Sequence, residues 1–241
     1  MIIFTGAGIS ADSGISTFRD ANGLWEKHDI DQVCNFQTWK QNFDLVHAFY
    51  SARRVQLGTV QPNPAHEMIA RLQARYGAVI ITQNIDDLLE RAGCKDVIHV
   101  HGFLTEIRCT NTGCNKTWDI GYTAWDSKSQ RCGSCLSLRG PKPNVVFFGE
   151  SAPRYAIMQQ LFASLGQEDV LLVMGTSGNV VDIGTVASYV PAQTILSNLE
   201  TDKGGDVFGP VLDDAHFNHV LHGRAAERAI DIERLVETLL T

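Results

Sequence analysis

Met1-Ile2-Ile3-Phe4-Thr5 followed by Gly6-Ala7-Gly8-Ile9-Ser10-Ala11 opens the chain with a short apolar run that breaks into a glycine turn. The turn matches G-x-G-x-x-G/A placed directly after a strand, the pattern in which bare backbone lets a dinucleotide pyrophosphate approach the N-terminus of the following helix. A turn with two glycines explains the match equally well when it is taken alone. What favours the nucleotide reading is its position after a strand.

Similar runs recur at residues 78–82, 97–101, 145–148, 170–174 and 194–199. Each is almost continuously hydrophobic, as strands covered on both faces should be, so all are expected as parallel strands. Helical patterns lie between several of them. Asn63-Pro64 supplies an N-cap and a first-turn proline for a helix over 65–75. Near the end Ile232, Leu235, Val236, Leu239 and Leu240 form an i, i+3, i+4, i+7, i+8 stripe that packs a closing helix onto the body. Strands alternating with helices predict a doubly wound, Rossmann-like parallel α/β sheet.

Two stretches break the alternation. Residues 20–62 form a long connection with a helical pattern over 42–57, and residues 105–142 are polar and rich in Cys and Gly. Both read as insertions that build a smaller helical and metal-binding lobe. The expectation is one domain over 1–241, its large lobe made from about 1–19, 63–104 and 143–241.

Composition bounds the function. In 241 residues, 44% are apolar and 20% charged, which fits a folded globular protein and not a disordered or fibrous one. Twenty Lys and Arg against 27 Asp and Glu leave a net charge of −7, with nothing to favour nucleic-acid binding. No window reaches the ~18 apolar residues of a membrane span, and the N-terminus lacks a basic leader, so the chain is read as cytoplasmic. The oligomeric state is left open, a monomer included.

Six cysteines are too sparse for a disulfide scaffold, and four cluster. Cys109, Cys114, Cys132 and Cys135 follow C-x4-C-x17-C-x2-C, close to the ribbon spacing that folds four thiolates around tetrahedral Zn²⁺. A closed four-thiolate site has no open position for water, so the zinc is expected to be structural. Cys34 and Cys94 read as small buried residues.

Two further constellations carry chemistry. His101 ends the 97–101 run and precedes Gly102, at the edge where α/β sheets place ligands, and imidazole suits proton transfer near neutral pH. A lone histidine is more often structural, and His99 on the same face is expected to take that role. Asn84 and Asp86 alternate at a strand's end and can offer an amide and a carboxylate to a carboxamide, or cap the helix that starts near Leu88.

An ordinary dehydrogenase would place an acidic residue about 20 positions after the glycine turn, on a second strand. Here that interval holds Ser13-Gly-Ile-Ser-Thr-Phe18-Arg19-Asp20-Ala-Asn-Gly23-Leu-Trp25-Glu26, with no strand pattern. Together with the GAGIS turn, this segment resembles the opening motifs of the sirtuin family. The resemblance continues through Thr82-Gln83-Asn84-Ile85-Asp86, His99-Val100-His101-Gly102, Asn144-Val-Val-Phe-Phe-Gly149-Glu150, Gly175-Thr176-Ser177 and Asn198-Leu199-Glu200, in the family's order.

The resemblance implies an NAD-consuming protein-lysine deacylase. In that reaction the acyl oxygen of a modified lysine attacks the anomeric carbon of the nicotinamide ribose, nicotinamide leaves, and the products are free lysine and 2′-O-acyl-ADP-ribose. It implies His101 as the general base. It assigns the cofactor to Gly6, Ala7, Gly8, Ile9, Asp12, Thr17, Phe18, Arg19, Trp25, Gln83, Asn84, Ile85, Asp86, Gly175, Thr176, Ser177, Asn198, Leu199, Glu200 and Ala225. Phe18 and Arg19 would lie on a loop that covers the cofactor and excludes water. The acylated peptide would lie as an added strand between the lobes, beside Val145, Val146, Phe147, Phe148, Gly149 and Glu150.

The helix over 42–57 bears on the acyl group. Val46, Phe49, Tyr50 and Arg53 share one face, so a phenol and a guanidinium lie three residues apart and can together hold a carboxylate. Read without context, the pair is a core tyrosine beside a solvated arginine. Phe49-Tyr50-Ser-Ala-Arg53 nevertheless resembles the Y-x-x-R element of class III sirtuins, which implies succinyl and malonyl groups as substrates. Cys34 stands where that class has a small alanine, and Asp182, Ile183 and Gly184 replace the family's proline and small pair. An ADP-ribosyltransferase and a non-catalytic NAD-binding zinc module are the rival readings.

Overall fold

The computed structural model describes residues 1–16, 24–25, 28–199 and 212–241, with the backbone alone for Leu24 and Trp25. Six strands form one sheet: β1 (Ile2–Thr5), β4 (Val79–Thr82), β5 (Ile98–His99), β9 (Val170–Met174), β10 (Gln193–Asn198) and β11 (His219–His222). Their order is β11-β10-β9-β1-β4-β5 and every pairing is parallel.

The hydrophobic runs are continuous because both sheet faces are covered and side chains alternate between them. Ile3, Ile80, Leu172, Met174 and Ile195 point to a cluster closed by helices α4 (Pro64–Tyr76) and α8 (Ala225–Leu239). Ile2, Phe4, Ile81, Leu171, Val173 and Leu196 point the other way, onto α6 (Tyr155–Ala163) and α7 (Ile183–Tyr189). Fully burying one such side chain is worth about 1.5–3 kcal/mol, so these two layers hold the sheet. Ile232 and Val236 of α8 are wholly buried there, with Leu235, Leu239 and Leu240 packed beside them.

Helix α4 starts as its sequence dictates. The Asn63 side chain accepts from the Ala65 N–H at 2.9 Å, the Asn63 N–H donates to His66 Nδ1 at 3.2 Å, and Pro64 takes the first helical position. Gly77, at φ 63°, ends the helix in the left-handed region.

Most of the remaining elements lie in or beside the two interrupting stretches. Between β1 and α4 lie α1 (Gly8–Ala11), the strand pair β2 (Leu24–Trp25) and β3 (His28–Asp29), α2 (Ile30–Val33) and α3 (Phe43–Leu57). After α5 (Leu88–Arg91) and β5 comes a three-stranded antiparallel sheet, β7-β6-β8, from β6 (Gly102–Cys109), β7 (Thr117–Asp119) and β8 (Pro141–Val145). A third cluster, with Val33, Phe43, Val46, Tyr50, Leu104, Val145 and Phe147, packs α2 and α3 against that small sheet.

Two expectations change. Residues 145–148 do not join the parallel sheet; β8 ends at Val145 and pairs antiparallel with β6. The run is apolar because Val145 and Phe147 face the α3 cluster. Strand β5 stops at His99, so His101 sits in the turn beyond it. The edge strand β11 went unread because only Val220 and Leu221 of its four residues are apolar and none is fully buried. No helix among the described residues is long and apolar enough to cross a membrane.

Candidate active site and zinc centre

Three turns meet where β1, β9 and β10 end. Gly6 N–H donates to Met174 O at 2.9 Å, Gly8 N–H to Gly175 O at 2.8 Å, and Gly175 N–H to Ser197 O at 2.9 Å. A Cβ on Gly6 would lie 2.7 Å from Gly175 O, and one on Gly8 2.7 Å from Gly175 Cα. Gly175 itself, at φ +62°, has Ile9 N only 2.5 Å from its Cβ position. The glycines therefore seat one turn against the other, and any side chain would push them apart.

Asn84 and Asp86 follow β4, and both reach Ser10 on α1. Asn84 Nδ2 donates to Ser10 Oγ at 3.1 Å, and Ser10 Oγ donates to Asp86 Oδ2 at 2.9 Å. His66 joins them: its Nδ1 accepts from Asn63, so its Nε2–H points to Ser10 Oγ, at 3.4 Å. Burial pushes the Asp86 carboxyl above the usual carboxylate range, against the Ser10 bond and the Leu88 N–H, which pull it down. Asp86 also accepts from the Leu88 N–H at 3.2 Å at the start of α5, the capping contact. Ser10 lay inside the quoted glycine turn, but nothing in its spacing showed that two distant loops would meet at its hydroxyl.

His101 is fixed at both nitrogens. Nδ1 lies 3.1 Å from Gln83 O and Nε2 2.7 Å from the Tyr155 hydroxyl. A carbonyl only accepts, so Nδ1 carries the proton and Nε2 presents its lone pair, the state a general base needs. Burial lowers the pKa of the ring, with the Gln83 carbonyl opposing. His99 is engaged structurally, with Nδ1 2.8 Å from Asn84 O and Nε2 2.7 Å from Glu90 Oε1. Tyr155 had no motif around it to mark it.

Several other expected cofactor positions lie at the same edge. Gln83 Nε2 donates to Thr176 Oγ1 and Asn198 Nδ2 to Thr176 O, both at 2.8 Å. Ser177 Oγ lies 3.4 Å from Asn179 N, and Leu199 is exposed. Asp12 is turned to the start of α8, accepting from the Ala226 N–H at 3.1 Å and pairing with Arg224, beside buried Ala225. Asp182 caps α7 by accepting from the Thr185 N–H at 3.1 Å. Thr17, Phe18, Arg19, Glu200 and the side chain of Trp25 lie outside the described residues.

Tyr50 and Arg53 are both buried, so the solvated-arginine alternative does not hold. The Tyr50 ring stacks on Phe147 at 5.6 Å, and the Cys34 thiol lies beside its hydroxyl. Burial raises the pKa of both groups. The Arg53 guanidinium lies 3.5 Å above the Phe49 ring and donates to Phe49 O at 3.3 Å. It lines a small cavity with Ile15, Ser16, Gln56, Leu57, Ile85, Asp86 and Leu104. A cation and the Asn84–Asp86 turn therefore border one space.

Much of the 145–150 segment is already engaged. The Val146 N–H donates to His101 O and the Phe148 N–H to Cys34 O, both at 2.9 Å, while the Phe147 N–H meets Glu150 Oε2 at 3.0 Å. Buried Glu150 also pairs with Arg108 and, at 3.0 Å, with buried Lys142. Burial lowers the Lys142 pKa to about 8, against the raising effect of Glu150. The Phe148 side chain is 42% exposed, and the Cβ position of Gly149 has no neighbour.

The four cysteines of the small sheet converge until their sulfurs all lie within 4.8 Å of one another. Cys109 to Cys135 is 3.6 Å and Cys114 to Cys132 is 3.7 Å. Four thiolates about 2.3 Å from a tetrahedral Zn²⁺ would be about 3.8 Å apart, so the donor set and its spacing fit zinc.

The Sir2 family model matches residues 6–182. A protein of Helicobacter hepaticus described as an NAD-dependent protein deacylase is 39% identical, with 98% of this chain and 97% of that one covered. One of Campylobacter jejuni with the same description is 46% identical over 84% of each chain. The solved structure of a Sir2 homologue in complex with NAD superposes with a TM-score of 0.80 at 32% identity, covering 100% of this chain and 90% of that one.

Proposed function

The chain belongs to the Sir2 family, and we propose that as an NAD-dependent protein deacylase it releases lysine from acetyl and from acidic acyl groups, succinyl and malonyl. Bound NAD supplies the activated nicotinamide–ribose bond whose cleavage captures the acyl group as 2′-O-acyl-ADP-ribose. The chain's own residues hold, orient and deprotonate. The turns around Gly6, Gly8 and Gly175 receive the cofactor, with Ala7, Ile9, Thr176, Ser177 and Asn198 beside them. Asn84, Ile85 and Asp86 face its carboxamide, braced through Ser10. His101 takes a ribose hydroxyl proton at Nε2, because Nδ1 is already committed to Gln83 O.

The observation that carries the acidic-acyl reading is Arg53, 8% exposed, bordering the same cavity as Asp86. A buried guanidinium there favours a carboxylate on the acyl chain. The modified peptide enters between the small antiparallel sheet and the parallel sheet, meeting Phe148 and Gly149. We take residues 1–241 as one catalytic domain, with about 20–62 and 105–142 forming the smaller lobe around a structural zinc. Four cysteines held as metal ligands rather than in disulfides suit the cytoplasm, where we place the protein.

Matched acetyl-, malonyl- and succinyl-lysine peptides incubated with NAD, with both products read by mass spectrometry, test this. Arg53→Met should depress desuccinylation by about 10- to 100-fold and leave deacetylation within a few-fold. An equal loss on both peptides removes the acid-recognition role.

A further inference from the structure

The Tyr155 hydroxyl lies 2.7 Å from His101 Nε2, with the two rings 5.8 Å apart and inclined at 44°. The Gln83 carbonyl fixes the proton on Nδ1, so the phenol is the donor and the imidazole lone pair the acceptor. An imidazole nitrogen has one lone pair. A substrate hydroxyl that is to lose its proton to His101 needs that same lone pair, so the two donors exclude each other.

We propose that Tyr155 is a positioning residue that caps the His101 base in the substrate-free protein and yields its place, one hydrogen bond for one, to a hydroxyl of the bound substrate. Tyr155 is suited to this by its location. It is the first residue of α6, its N–H anchored to Ala152 O at 3.0 Å, and its ring is only partly buried against the core cluster that holds Met158 and Phe162. The backbone is thus tethered while the phenol tip stays at the site edge. The kinetic half of the proposal rests on the deacylase reading; the hydrogen bond itself does not.

The consequence for protonation follows from sign. A donor to the lone pair stabilises neutral imidazole, so the cap keeps His101 uncharged and ready, in the same direction as burial. Among the described residues, the groups hydrogen-bonded to the ring are Tyr155 from α6 and the Gln83 carbonyl beyond β4. His99, on the strand before it, is turned to Glu90 and Phe103. No charged side chain among the described residues adds to the shift at His101.

The test uses the full chain. Nitrogen NMR of His101 is followed against pH in the wild type, Tyr155→Phe and Tyr155→Leu, and kcat and kcat/KM are profiled with NAD and an acetyl-lysine peptide. Both variants should raise the His101 titration midpoint of the free protein by about 0.5 to 1 pH unit. The acid limb of kcat/KM, which reports free enzyme, should rise with it, and that of kcat, which reports the complex, should not. A His101 midpoint that does not move in either variant, or limbs of kcat and kcat/KM that move together, overturns the cap. Absence of deacylation in the wild type would overturn the functional reading instead and leave the NMR titration decisive.

Discussion

The hydroxyl of Ser10 donates to the carboxylate of Asp86 at 2.9 Å across 76 positions of sequence. Through it the glycine-turn helix α1 and the loop after β4 become one unit, because the same oxygen receives Asn84 at 3.1 Å. Asn84 and Asp86 are thus held together by a side chain from another turn.

Ser10→Ala leaves a buried carboxylate oxygen without its donor. It should cost about 1–3 kcal/mol of stability, read as a lower urea midpoint at unchanged m-value. It should also raise KM for NAD more than KM for the peptide. A variant with wild-type NAD affinity would show that Asp86 is positioned by something else.

His101→Ala removes the proposed base but none of the backbone hydrogen bonds that join the Gly6, Gly8 and Gly175 turns. Deacylation should fall by about 10²- to 10⁴-fold, with NAD binding retained by calorimetry. Turnover close to the wild type would remove His101 from the chemistry.

Zinc removal should act on the small sheet first. One equivalent of zinc per chain is expected by elemental analysis, and Cys114→Ser or strong chelation should abolish it. Thermal stability should then drop and the tryptophan emission of Trp118 and Trp125 should change, since Trp118 packs on the cysteine cluster and lies 5.8 Å from Trp125. A metal-free preparation with unaltered melting would contradict a structural role.

Acid should unfold the protein through its buried histidines. His47 and His66 are each pushed down to about 4, in both cases mainly by burial. Their folded pKa lies below the unfolded value of about 6.5. Their contribution is therefore complete above pH 6.5 and is lost as pH falls toward 4, on the order of 3 kcal/mol each. Between pH 6 and 4.5 unfolding should take up about two protons from these sites. Urea midpoints measured across that range check the slope, and His47→Gln should reduce it by about one proton.

What was legible in the sequence is what short-range geometry controls. The spacing of Gly6 and Gly8 after a strand, the Asn63-Pro64 helix start, the stripe through Ile232 and Val236, and the four-cysteine pattern each depend on neighbours within a turn or a hairpin. The structure has all of them. The 145–148 run shows the limit of such reading. A segment buried against α3 is as apolar as a central strand, and only the pairing partner tells them apart.

The sequence by itself determined a parallel α/β sheet, a four-thiolate centre and a set of polar residues at the sheet's C-terminal edge. The tertiary structure decided how that set is oriented and which atoms are already hydrogen-bonded. Gln83 O fixes the tautomer of His101 and Tyr155 meets its other nitrogen, Ser10 ties Asn84 to Asp86, and Arg53 turns inward beside them. Periodicity records which side of an element is buried. The direction of a hydrogen bond depends on what arrives from elsewhere in the chain, and that is set only when distant segments pack.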